Sequence, residues 1–300
     1  LYNVIFESNL LLENIHRTQG LTDERRAYHT GQAHFALGFS YFTLSRAYGL
    51  AAIPESTSAV RQYALSSMLQ VIDKAIYHAE QAYSILPTHD KLRNLSGAVI
   101  TSKQFASKGN SAALLAHLYA WKGSMIELYG LSGANAQEAY RKSIDYSSIL
   151  INGQAGSYSL VSSPEELCKL LSNPAADNPE EIFSLVYDKT RSNTAVTHNE
   201  VASHFCTWPV DKTKTLGDIT TAPFRLFAST VKALYPDASD TRRTSFFYEA
   251  DETHEVDGKD YAIPYKFRNA IFANDASSSS GLSFTSVDAN YVYWRLADIY

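Results

Sequence analysis

The chain has 300 residues, of which 45% are hydrophobic and 19% charged, an ordinary globular balance with ample length for a core. Its net charge of -5 excludes the clustered Lys and Arg of a nucleic-acid footprint. No apolar run reaches the ~18 residues of a membrane span, and Cys168 and Cys206 are too few to staple a chain of this size.

Taken in chain order, the first half reads as helical hairpins. Residues 1–18 predict a first helix with Leu1, Ile5, Leu12 and Ile15 near one face. A polar turn with Thr22, Asp23 and Glu24 caps a second helix that runs to Gly49, a natural C-terminal stop. This second helix carries "HFALGFSYFTLSRAYG". Phe35, Phe39 and Phe42 recur on one face, and Leu37, Tyr41, Leu44 and Tyr48 on another roughly 200° away. Ala33, Ala36, Gly38, Ser40 and Ala47 lie between them. The pattern predicts a helix clamped between other helices, its rings in the core and Arg46 beside a carboxylate or a helix terminus. "AAIPESTSAV" predicts a loop. Further helices are expected from about Arg61 to Leu86, from Ser111 to Tyr129 and from Ala134 to Ile151. Paired helices of this kind resemble tetratricopeptide repeats, whose period is about 34 residues.

The second half changes character. "NPEEIFSLVYD" suits a short buried strand. The stretch "AVTHNEVASHFCTWPVDKTKTLGDITTAP" has no sustained period and predicts a long irregular excursion, a kind of segment that is usually functional when ordered. "TRRTSFFYEA" and "DYAIPYKFRN" flank "HEVDGK", whose Asp257-Gly258 predicts a hairpin. "ANDASSSSGLS" reads as a polar loop, and a last helix is expected from near Asp288, with Trp294, like Trp121, in its core. The fold class is therefore mainly α: tetratricopeptide-like hairpins over 1–151, then a loop-rich region with a few short strands over 152–300. Both ends lie inside amphipathic patterns, so a piece of a longer protein is expected.

The order of motifs resembles the SusD/RagB family of bacterial surface lipoproteins that bind nutrients, mostly glycans. The likeness begins at "FALGFSYFTLSRAYG" with Pro54 close behind. It continues through "MLQVIDKAIYHAEQAYSILP", "KGNSAALLAHLYAWKG" and "AYRKSIDYSSILINGQAGSYSL". After these come "NPEEIFSLVY", "ALYPDASDTRR", "YKF" and "YVYWRLADIY". Each motif is short and degenerate; their order across nearly the whole chain carries the resemblance. It implies a helical scaffold with a loop-rich ligand face, and a TonB-dependent SusC-like transporter as partner. It further implies a place on the outer-membrane surface, held by a lipidated cysteine that neither Cys168 nor Cys206 can be. Family members are longer at both ends, so the anchor would lie outside this chain. The family's ligand loops share no motif, and no binding residue carries over by position.

Candidate ligand contacts therefore come from the residues alone. Sugar binding needs flat apolar faces for pyranose C–H surfaces and planar polar groups for hydroxyls, in a concave site. The best local concentration is "SHFCTWPVD", giving His204, Phe205, Trp208 and Asp211. Trp208 precedes a proline, so the chain there is extended; its ring either meets ligand or plugs the core. There is no G-x-S-x-G, H-E-x-x-H or glycine-rich phosphate loop, and no cofactor or metal set is expected. The acidic "DETHEVDGKD" reads as a solvated turn. The expectation is non-catalytic binding of an oligosaccharide or polysaccharide. A helical-repeat scaffold for a protein or peptide, and an all-α glycoside hydrolase, are the alternatives.

Overall fold

Thr22 begins the element on which the first half is built: its Oγ1 accepts the Arg25 backbone N–H at 3.2 Å, capping the orphan end of a helix over Asp23–Tyr48. In this computed structural model, residues 1–54, 56–58, 62–173, 175–186, 224–256, 258–268, 270–274, 276–277 and 282–300 are described. Helix α1 spans Tyr2–Asn14 and passes through a short 3-10 turn at Ile15–Arg17 to α2, the Asp23–Tyr48 helix. Asp23 and Glu24 in its first turn favour the positive end of the helix dipole, and Gly49 ends it at φ +71°.

Both faces of α2 are buried, as its two ring series predict. Leu37, Tyr41 and Leu44 are covered on one side, Phe35 and Phe42 on the other. The covers differ. Tyr41 stacks on His78 of α3 (Met68–Ile85), with centroids 6.2 Å apart, so that side is helix on helix. A Cβ on Gly38 would stand 3.1 Å from the Ala75 carbonyl oxygen and from the Ala79 nitrogen, so the two backbones nearly touch there. On the opposite side Phe35 and Phe39 meet Phe183 edge-on at 5.3 and 5.6 Å, and Phe39 meets Trp294 at 5.8 Å. Those partners come from strands, which corrects the expectation of helices on both sides. Tyr48 is a second correction: it is 73% exposed, because the whole last turn from Arg46 to Tyr48 runs beyond its cover. Arg46 lays its guanidinium 5.3 Å above the Phe42 ring instead of beside a helix terminus.

The expected loop after α2 opens on strand β1 (Ala51–Ala52), which pairs with β2 (Leu65–Ser66) inside the stretch predicted as helix. Helix α3 then starts at Met68 and not near Arg61. Ser67 and Gln70 cap it reciprocally, and this box fixes where the helix can begin. Ser107 and Asn110 do the same for α4 (Lys108–Tyr129), which ends at the left-handed Gly130. Asn135 caps α5 (Ala136–Ile151). Helix α4 is apolar around much of its circumference because α3 packs on one flank and α5 on another. These helices form most of one compact unit, Leu1–Tyr158, to which Glu181–Phe183 and Trp294–Tyr300 also belong.

The second unit comprises Ser159–Glu180 and Ser184–Tyr293. Ser163 and Pro164 open α6 (Pro164–Leu171), a helix the sequence reading left unassigned. Strand β3 occupies Glu181–Leu185 as predicted. Later come β4 (Leu226–Phe227), α7 (Ala228–Leu234), α8 (Thr241–Phe246), β5 (Phe247–Tyr248), β6 (Glu255–Val256) and β7 (Lys259–Pro264). Strand β7 is the hub, pairing antiparallel with β4, β5 and β6. The register Val256↔Lys259 leaves a two-residue turn at the predicted Asp-Gly, with Gly258 at φ +73°. Strands β8 (Ala270–Asn274) and β9 (Leu282–Val287) form a hairpin; the polar loop expected there lies largely outside the described residues.

Arg268 ties this unit together. Its guanidinium makes a bidentate pair with Glu165 of α6 at 2.6 and 2.7 Å, donates to the Ser245 carbonyl at 3.0 Å and lies 4.0 Å over the Tyr265 ring. Its backbone N–H reaches Ser172 Oγ at 2.8 Å. The last expected helix is absent. "YVYWR" forms strand β10 (Tyr291–Arg295), which pairs with β3 and leads into a 3-10 turn at Leu296–Asp298. Valine and aromatic residues suit either a pleated surface or a helix face, and pairing with β3 decides for the strand.

Candidate site: an exposed aromatic platform

His204, Phe205, Trp208 and Asp211 fall within residues 187–223 and so lie outside the described residues, as does Cys206. The described residues resume at Phe224, and the segment that follows carries rings. Phe227 of β4 sits opposite Tyr261 of β7 in register, and the two rings stack with centroids 5.4 Å apart and planes 15° from parallel. Tyr261 is buried and serves as the base. Phe227 is 47% exposed and Phe224 is 55% exposed. Between them the Arg225 guanidinium lies 5.6 Å above the Tyr261 ring.

Local chemistry explains why the rings stay outside. Two residues of ladder with β7 fix Leu226 and Phe227, and Ala228 and Val231 then turn the apolar face of α7 inward. The inward positions are therefore taken by small or aliphatic residues, and Phe224 and Phe227 keep about half of their surface in solvent. Such a platform brings two partly exposed rings and a guanidinium within four consecutive residues. That combination stacks against C–H surfaces while donating to hydroxyl oxygens. It offers no fixed nucleophile. The sequence reading passed over "PFRLF": two rings three apart around an arginine, directly after a proline, was the available signal. It is a weak one, since the same spacing also suits a helix face.

Other candidates resolve as packing. Trp294 is 3% exposed and stacks on His117 at 5.4 Å, inside the cluster with Phe39 and Phe183. Trp121 is partly buried, its Nε1 sealed from solvent. Three histidines packed among the helices are disfavoured in their charged form. Burial, then His34 and Lys74, push His78 down to about 3, and burial lowers His34 and His117 as well. Among the described residues no group of three or more His, Cys, Asp or Glu is placed to hold a metal ion.

Residues 1–119 match a family model described as SusD-like, starch-binding associating with outer membrane. Over those residues the chain is similar to the SusD-like family. Solved structures agree on the fold. A SusD homolog from Bacteroides thetaiotaomicron superposes with a TM-score of 0.73 at 18% identity, covering 99% of this chain and 58% of that one. A SusD superfamily protein from Parabacteroides distasonis gives 0.67 at 18% identity, covering 99% and 59%. A SusD-like protein from Bacteroides fragilis gives 0.62 at 17%, covering 98% and 60%. At these identities the likeness concerns the fold, and the chain spans less than two thirds of each of these SusD-like structures. No protein of curated function matches in sequence. The family match ends well before Phe224, so the aromatic platform stands on its own geometry. No helix among the described residues is long and apolar enough to cross a membrane.

Proposed function

We propose that the protein binds oligosaccharide at the bacterial outer surface without cleaving it, and hands it to a TonB-dependent SusC-like transporter. A lipid anchor outside this chain would hold it to the membrane. The observation that carries the reading is the match of the first 119 residues to a starch-binding, outer-membrane-associated family. The platform of Phe224, Arg225 and Phe227 supports it, because exposed rings beside a guanidinium are what a neutral polyhydroxyl ligand needs. We place the main contacts there and on the preceding segment, with Trp208 as stacking ring and Phe205, His204 and Asp211 beside it.

Calorimetric titration with maltoheptaose tests this, with a wider panel of neutral glycans alongside. Saturable binding is expected, with the saccharide recovered intact. Trp208→Ala should weaken it by about 1–3 kcal/mol, the usual cost of losing one well-used ring. Phe224→Ala with Phe227→Ala should weaken it further, with a modest fall in melting temperature because the Phe227 ring also covers Tyr261. Release of shorter products would replace binding by hydrolysis, and saturable binding of a peptide with no response to any saccharide would replace the ligand class.

A further inference from the structure

We infer that the helical unit carries a second saccharide site, in the furrow between α3 and α5. The inference rests on the saccharide-binding reading above and extends it to a different part of the chain. Both α3 and α5 pack on α4, which leaves a furrow floored by α4. Three tyrosines close one end: Tyr146 of α5 stacks on Tyr119 of α4 at 5.9 Å and meets Tyr83 of α3 edge-on at 5.6 Å. Toward the turn between α4 and α5 the furrow opens into a cavity of about 640 Å³. That volume falls inside the range of about 300–1,000 Å³ typical of small-molecule sites.

The lining is polar and already arranged. Tyr119 Oη donates to Glu80 at 2.8 Å, which fixes its ring at the floor. Lys122 Nζ donates to Asp73 across the floor at 2.6 Å. Asn135 Oδ1 accepts the Glu138 N–H at 3.2 Å, leaving its amide hydrogens to point elsewhere. Glu138 and Lys142 line the α5 wall, both exposed. Each of these groups keeps bonding capacity beyond the contact it makes, since an ammonium has three donors and a carboxylate about four acceptor positions.

Charge then selects the ligand class. Asp73 and Glu138 face Lys122 and Lys142, two of each sign, so a ligand with net charge gains little. A sugar hydroxyl donates and accepts at once and fits such an interleaved set. A peptide groove would offer apolar pockets for side chains, whereas the apolar lining here is Leu69 and two alanines. The occupant is accordingly one or two neutral sugar units of a longer chain.

The test is amide-resolved NMR of the protein carrying Trp208→Ala, titrated with maltoheptaose. Amides of Gly133, Asn135, Glu138 and Lys142 should shift saturably. Adding Glu138→Gln and Lys142→Gln, both at exposed positions, should weaken that response roughly tenfold with no change in melting temperature. Maltoheptaose binding to the wild-type protein while these amides stay still would overturn the second site and leave the proposed function standing. Binding nowhere on the chain would overturn both. Shifts produced by glycine or by a mixed-charge peptide, with none from saccharide, would assign the furrow to a zwitterion and overturn the sugar site.

Discussion

His78 is buried with its ring stacked on Tyr41 and its Nδ1 2.9 Å from Nδ1 of His34, so one ring must carry the shared proton and both stay neutral. The groups that face it are His34, Tyr41, Tyr77 and, through its charge, Lys74. With its folded value near 3 against 6.5 when unfolded, His78 binds its proton more readily in the unfolded chain. Its contribution to stability is complete above about pH 6.5 and is lost as pH falls. Between pH 6 and 5 the stability should drop by roughly 1 kcal/mol on this account, and His78→Phe should flatten that slope in denaturant titrations at each pH. An unchanged slope would mean that the ring opens to water. Gly38 is constrained from the other direction, by backbone. Gly38→Val would drive methyls against the Ala75 carbonyl and the Ala79 nitrogen, neither of which can turn aside. A loss of about 1–3 kcal/mol is expected, read as a fall in melting temperature. The small residue was legible in the sequence; the buried histidine pair was not, since residues on separate helices meet only through tertiary packing.

At the scale of elements, what could be read in advance was whatever announces itself locally. The capped helices and the Asp-Gly hairpin carry their signals within four or five residues of the feature they set. Errors gathered where a distant partner decides. The amphipathic pattern of "NYVYWRLADIY" predicts a helix where strand β10 lies. Pairing with β3 selects the extended form, and nothing near residue 290 reports that pairing. The same holds for Arg268, whose partners Glu165 and Ser172 lie about a hundred residues earlier in the chain. Its fork spans α6, the Ser245 carbonyl and Tyr265, reinforcing the packing of α6 on α8, where Cys168 Sγ also donates to the Ser245 carbonyl. Arg268→Ala should cost about 1–3 kcal/mol, because the guanidinium is mostly buried while the Glu165 carboxylate stays 44% exposed and partly screened. Arg268→Lys should recover little of it, because an ammonium cannot make the bidentate contact. Hydrogen exchange should show the loss concentrated in α6 and α8. The candidate platform was missed for the same reason: Phe224 and Phe227 become a surface only once Tyr261 is placed beneath them.

For the whole molecule, net charge separates the proposed ligand class from the classes it excludes. A chain at -5 has no reason to gather anionic partners, and the two proposed contacts, ring faces and a furrow of balanced charge, give a neutral glycan no net electrostatic term. Raising salt shortens the reach of surface charge, from about 10 Å at 0.1 M to about 3 Å at 1 M. Binding that depends on released counterions weakens steeply over that range. Maltoheptaose affinity should instead change by less than about twofold between 0.05 and 0.5 M NaCl, since stacking and hydroxyl bonds to an uncharged ligand carry little of the screened interaction. Calorimetry at three salt concentrations measures this directly. A fall of tenfold or more would mean that Arg225, Lys122 or Lys142 is neutralising charge on the ligand, and would move the assignment from neutral to acidic glycans. A flat response in the wild type, retained in Arg225→Gln at lower affinity, would assign the guanidinium to hydroxyl recognition and leave the rings to carry most of the binding.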